Sequence, residues 1–170
     1  MPEFHLLSSA PEPVAPFSHA VEADGWVMIT GQMPTHPGDP DAPLPEGIAA
    51  QTRRVMENLQ IVLGEIGLDL SHVLQCRIYL THFERDYPGF NSVYQEYFPA
   101  DRRPARTTIG VTALAVGALV EIDMVARRPC DAMAGILPVR TAASSCRDGP
   151  ALAPRGRASG PKRACPQAGD

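Results

Sequence analysis

The sequence predicts an α+β fold, a sheet with two helices packed on one face. Three observations lead there. A long segment between Glu46 and Gly67 has helical spacing, a shorter one from Pro88 to Phe98 repeats it, and four other segments alternate with a period of two. The order is strands, then helix, strand, helix and two strands, and the strands share one consistently apolar side.

In the first strand, Val27 and Ile29 oppose Trp26, Met28 and Thr30. In the first helix, Ile48, Thr52, Val55, Leu59, Val62 and Ile66 step by four and three along one face. Met56 and Leu63 widen that stripe, while Arg53, Arg54, Glu57 and Glu65 stay in water. Gly67 tolerates the left-handed conformation and ends the helix. Leu74, Cys76, Ile78 and Leu80 oppose Gln75, Arg77 and Tyr79 in the next strand. Pro88 suits the first turn of the second helix, where Phe90, Tyr94 and Tyr97 lie at i, i+4 and i+7. Ile109 and Val111 then oppose Arg106 and Thr108, and Val120, Ile122, Met124 and Ala126 oppose Glu121 and Asp123.

The second sheet side, by this parity, gathers Trp26, Met28, Thr30, Gln75, Arg77, Tyr79, Arg106, Thr108, Glu121 and Asp123. That mixture is too polar for a second core and too aromatic for a plain solvated face. A subunit interface with polar sites at its edges explains it, and so does a face open to water.

Composition divides the chain near residue 128. Residues 1–128 carry nine Arg and sixteen acidic groups, a net of −7, and residues 129–170 carry six basic and three acidic groups, a net of +3. The second stretch has no aromatic residue, and Ile136, Leu137 and Val139 are its only closely spaced large apolar group. Apolar surface that sparse cannot offset the entropy of ordering, so 1–128 is expected to be the folded domain and 129–170 a disordered tail.

Some functions are excluded or disfavoured at this level. The longest mostly apolar run, Val111 to Val120, is closed by Glu121 and falls well short of the roughly 20 residues a spanning helix needs, so no membrane partner is expected. No basic segment leads into an apolar one at the N-terminus, and a cytoplasmic location is expected. A net of −7 disfavours a broad nucleic-acid footprint. The four cysteines form no C-x-x-C pair, Cys76 reads as a small buried hydrophobe, and no metal site is expected. The five histidines stand singly, mostly near turns, and each reads as a surface residue. Phosphate loops, nucleophile elbows and H-E-x-x-H helices are absent.

The residues suited to chemistry are Arg106 and Glu121. An Arg fixed at a strand start can hold a small carboxylate through two parallel charge-assisted hydrogen bonds. A neighbouring carboxylate can orient water for addition to an electrophilic carbon. On residue types alone a structural Arg–Glu pair is the commoner use of such residues.

Thr30-Gly31-Gln32-Met33-Pro34, Asn91-Ser92-Val93-Tyr94-Gln95-Glu96-Tyr97-Phe98, Pro104-Ala105-Arg106 and Val120-Glu121-Ile122-Asp123 occur in order with matching spacing. Together they resemble the RidA (reactive intermediate deaminase, YjgF-type) family from about Ala15 to Arg127. The resemblance implies a chorismate-mutase-like protomer, a homotrimer with clefts between subunits, and no cofactor. It also implies hydrolysis of 2-imino acids, the tautomers of enamines, to 2-keto acids and ammonia, with 2-iminobutanoate and 2-iminopropanoate as typical substrates. Carried across, Arg106 binds the substrate carboxylate, Thr108 offers backbone groups beside it, and Glu121 positions the attacking water. Thr30 stands where many members have Ser. Asn91 matches the Asn that opens the second helix, where it caps the helix or shapes the cleft. Phe17 stands where archetypal members carry Tyr, and Thr108 replaces a frequent Cys. The loss of a phenol at Phe17 keeps a second reading open: a non-catalytic trimer that binds small carboxylates or acts as a chaperone-like module.

Overall fold

The computed structural model describes residues 1–129. The expected tail, apart from Pro129, lies outside the described residues. Six strands and two helices build the fold: β1 (Glu3–His5), β2 (Ala20–Ala23), β3 (Trp26–Gln32), α1 (Gly47–Glu65), β4 (Val73–Leu80), α2 (Phe83–Tyr94), β5 (Ala105–Gly110) and β6 (Val120–Arg127). They form one mixed sheet in the order β1-β2-β3-β6-β4-β5. Only β4 and β5 pair in parallel.

This order explains why both helices share a face. β3 and β4 are each antiparallel to β6, so they run parallel to one another with β6 between them. The chain crosses from β3 to β4 through α1 and from β4 to β5 through α2, moving the same way along the sheet each time. Right-handed crossovers then place both helices on one side. Between them and the sheet lies the core. Val55, Met56, Leu59, Val62 and Leu63 of α1 and Phe90 of α2 pack on Val27, Ile78, Leu80, Val120, Ile122 and Met124.

The helix from Glu46 to Gly67 forms as its spacing dictates. Gly67 has φ +71°, its N–H donates to Gly64 and the Leu68 N–H donates to Leu63, which closes α1 with a Schellman motif. Three expectations need correction. The second helix begins at Phe83, and Pro88 lies within it. The acidic residues Glu84 and Asp86 occupy its first turn, where the helix dipole favours them, and are the truer start signal. Leu74 is 46% exposed, because β4 shifts register against β6 between Val73 and Gln75 and gives the core position to Val73. His19 is buried: its Nδ1 accepts from the Leu7 N–H, and its Nε2–H donates to the Pro11 carbonyl, fastening the N-terminal segment.

Among the described residues no helix is long and apolar enough to cross a membrane. The open sheet face carries a row of paired residues across four strands: Phe4, Val21, Met28 and Val125. Phe4 and Met28 are exposed, as are Trp26, Leu74 and Ile109.

The register shift makes a testable distinction. Leu80→Ala removes a fully buried side chain and is expected to cost about 2–5 kcal/mol in urea unfolding. Leu74→Ala, on the outer face, is expected to cost under about 1 kcal/mol in the same measurement.

Candidate functional site

β5 is the outer strand beside β4, and its register decides where the site residues point. Cys76 pairs with Arg106, Ile78 with Thr108 and Tyr79 with Ile109. Cys76 and Ile78 belong to the core face, so Arg106 and Thr108 project toward the helices and Ile109 toward the open face. The parity expected for β5 is therefore reversed. An apolar Ile ordinarily marks the inner side, but this strand lies beyond the helices' full cover, and Ile109 is 45% exposed.

Arg106 is held by α2. Its Nη1 donates to Asn91 Oδ1 at 2.7 Å and its Nη2 to the Tyr87 hydroxyl at 3.2 Å. The guanidinium carbon lies 5.1 Å from the Tyr94 ring centre and 5.9 Å from those of Tyr87 and Phe90. Both acceptors are neutral, so the cation is positioned while its charge remains uncompensated by them. Asn91 thus shapes the site and does not open the helix, which starts at Phe83. Beside Arg106 lies a cleft of about 420 Å³, lined among others by Asn91, Tyr94, Phe98 and Arg103. Thr108 Oγ1 is buried without a hydrogen-bond partner. Tyr87 and Arg103 escaped the sequence reading. Tyr87 stands four residues before Asn91, a pairing visible only once the helix is begun early enough.

Glu121 lies on the other face. It pairs with Tyr79, and its neighbour Asp123 pairs with Arg77. Asp123 accepts from Arg77 Nε at 2.9 Å and from the Tyr79 hydroxyl at 3.1 Å. The Glu121 carboxylate rests against Gly31: a Cβ there would collide with Oε1. Burial, and then the charge of Asp123, push the Glu121 carboxyl above its ordinary value of 4.5. Thr30 donates to the Ser18 carbonyl at 2.6 Å, and Phe17 lines a small hollow with Gly31 and Gln32.

Within one chain the structure thus brings Arg106 and Asn91 together, with Thr108 two residues along the same strand face. Phe17, Gly31 and Glu121 form a second group across the sheet. Among the described residues no cluster of three or more His, Cys, Asp or Glu is placed to hold a metal ion.

The family model described as Endoribonuclease L-PSP matches residues 7–128. The chain belongs to this family, the RidA/RutC group of proteins. Protein DfrA of Myxococcus xanthus is 43% identical over 119 residues, covering 69% of this chain and 88% of that protein. The 3-aminoacrylate deaminase RutC of Acinetobacter baylyi is 37% identical over 131 residues, covering 73% of this chain and 96% of its own. The crystal structure of RidA from an Antarctic Psychrobacter species matches with a TM-score of 0.67 at 30% identity, over 74% of this chain and 99% of that one. These relatives support a deaminase-type function at the level of the RidA/RutC family.

Two outcomes test the Glu121 half of the site. Gly31→Ala is expected to displace the carboxylate tip and lower turnover by about tenfold or more, with only a small change in melting temperature, as read by steady-state kinetics and a thermal melt. The raised Glu121 carboxyl favours folding while protonated, and that contribution is lost as pH rises through its folded-state value. Glu121→Gln is therefore expected to raise the melting temperature relative to wild type at pH 7, with the difference shrinking toward pH 4.

Proposed function

We propose that this chain hydrolyses reactive 2-imino acids, or the enamines that tautomerise to them, to 2-keto acids and ammonia. The observation that carries this reading is the Arg106 guanidinium, oriented by Asn91 and Tyr87 beside an open cleft with its charge free for an anion. An imino acid has its carboxylate next to the reacting carbon, so a planar two-pronged grip fixes where that carbon sits. Water then adds to the C=N carbon and gives up a proton to a carboxylate, and the resulting carbinolamine expels ammonia as the C=O forms. Glu121 suits the acceptor role, because burial raises its affinity for a proton.

Arg106 and Glu121 point to opposite sides of the sheet with β4 between their strands. One substrate can meet both only if a second chain brings its Glu121 face to the β5 edge. The exposed row containing Phe4 and Met28 gives that face an apolar surface to bury. We therefore include a homotrimer in the proposal, with Arg106 from one subunit and Glu121 of the partner subunit at each cleft.

Phe17 favours a second reading, a trimer that binds small carboxylates without turning them over, since a phenyl ring offers no hydrogen bond to substrate or water. One assay separates the two: imine generated in situ by an amino-acid oxidase, with keto-acid release followed. A deaminase accelerates release, and a binding module leaves it at the spontaneous rate.

Arg106→Lys keeps the charge and loses the fork, and is expected to lower kcat/KM about 100-fold with the fold intact by thermal melt. Near wild-type turnover in that variant would exclude the carboxylate anchor. Light scattering is expected to give about three times the 18.3 kDa chain mass, and a monomer at micromolar concentration would remove the shared site.

A further inference from the structure

The cleft beside Arg106 holds a second guanidinium. Arg103 lines the same space, together with neutral residues that include Asn91, Gln95 and Tyr94. Among the described residues of the same chain, no carboxylate lines it. This is unusual for a domain with sixteen acidic groups against nine Arg. Arg53, Arg54, Arg77, Arg85 and Arg128 each pair with a carboxylate, and none of the ion pairs among the described residues involves Arg103 or Arg106.

We propose that the cleft is built for imino acids with a second, distal carboxylate: Arg106 holds the carboxylate beside the imine carbon and Arg103 takes the distal one. The proposal rests on the deaminase reading above and adds the substrate class. Pro104 supports it, because a proline disfavours helical backbone at the residue before it and so limits the directions Arg103 can take. The two arginines are three positions apart, which keeps their Cα atoms within about 10 Å. Two long side chains and a four- or five-carbon dicarboxylate bridge such a gap. The cleft's 420 Å³ leaves room for the longer ligand. The charge balance agrees: a dianion approaching a domain of net −7 needs a locally positive site, and this cleft is one.

The test uses the full chain and the product keto acids as probes. Calorimetry is expected to show 2-oxoglutarate binding at least about tenfold tighter than 2-oxobutanoate, the gain of one further charge-assisted contact. In Arg103→Gln that ratio is expected to fall toward one. Arg102→Gln, exposed and outside the cleft lining, is expected to keep the wild-type ratio. A parallel arm follows imines generated from glutamate and from 2-aminobutanoate, read as the ratio of kcat/KM values. Equal binding of the two keto acids by the wild type, or a ratio that survives Arg103→Gln, overturns the dicarboxylate assignment even if imines are hydrolysed. Selective, Arg103-dependent binding without hydrolysis of either imine sustains this subsite and overturns the deaminase reading instead.

Discussion

The pairing register between β4 and β5 fixes what the site can do, because side chains on a strand alternate and a shift of one residue would turn Arg106 to the other face. In the observed register Arg106 stands opposite Cys76, above the core and against α2. From there it reaches Asn91 and Tyr87, and no side chain on the open face competes for it. The same alternation along β6 sends Val120, Ile122 and Met124 into the core and turns Glu121 outward. Within one chain the sheet thus keeps Arg106 and the half-buried Glu121 on opposite faces, where they do not pair with each other.

The aromatic surroundings of Arg106 serve the same end. Phe90, Tyr94 and Phe98 pack successively, ring tilted on ring, along α2 and the turn that follows it, with ring centres 5.4 and 5.1 Å apart. They bury the base of the cleft without presenting a negative charge. Burial pushes the Cys76 thiol up to about 11 and the Tyr94 phenol higher still, so neither ionises near neutral pH. The guanidinium therefore sets the electrostatic character of that face, and Arg103 adds to it.

Much of this was legible in the sequence. The stripe from Ile48 to Ile66 and the alternation from Val120 to Ala126 each contain enough apolar residues to fix a face, and both elements form as read. β5 is reversed, since Ile109 is the one large apolar residue in this edge strand and a single residue cannot fix which side faces the core. Leu74 failed for a related reason: a bulge adds a residue to one strand only, and no pattern within that strand announces it. Of the site residues, Arg106 and Asn91 come from two separate motifs and meet through a hydrogen bond, whereas Tyr87 precedes Pro88, where the spacing starts the helix, and so stays hidden. Gly31 lay inside a quoted motif, yet its purpose becomes visible only when Glu121 is seen resting on it.

The two carboxylates on β6 divide their work by their neighbours. Asp123 is nearly buried but accepts from both Arg77 and Tyr79, so its charge is matched where it lies. Glu121, two residues away on the same face, meets burial and the negative charge of Asp123, and both push its carboxyl upward. Arg77 and Tyr79 sit on Asp123 and leave the Glu121 carboxyl raised by burial, the property an acceptor of a water proton requires. Gly31 completes this arrangement from the sheet interior, because any side chain there would move the carboxylate off the β3 backbone. The polarity of the open face is thus one asymmetric set, in which Asp123 is satisfied so that Glu121 need not be.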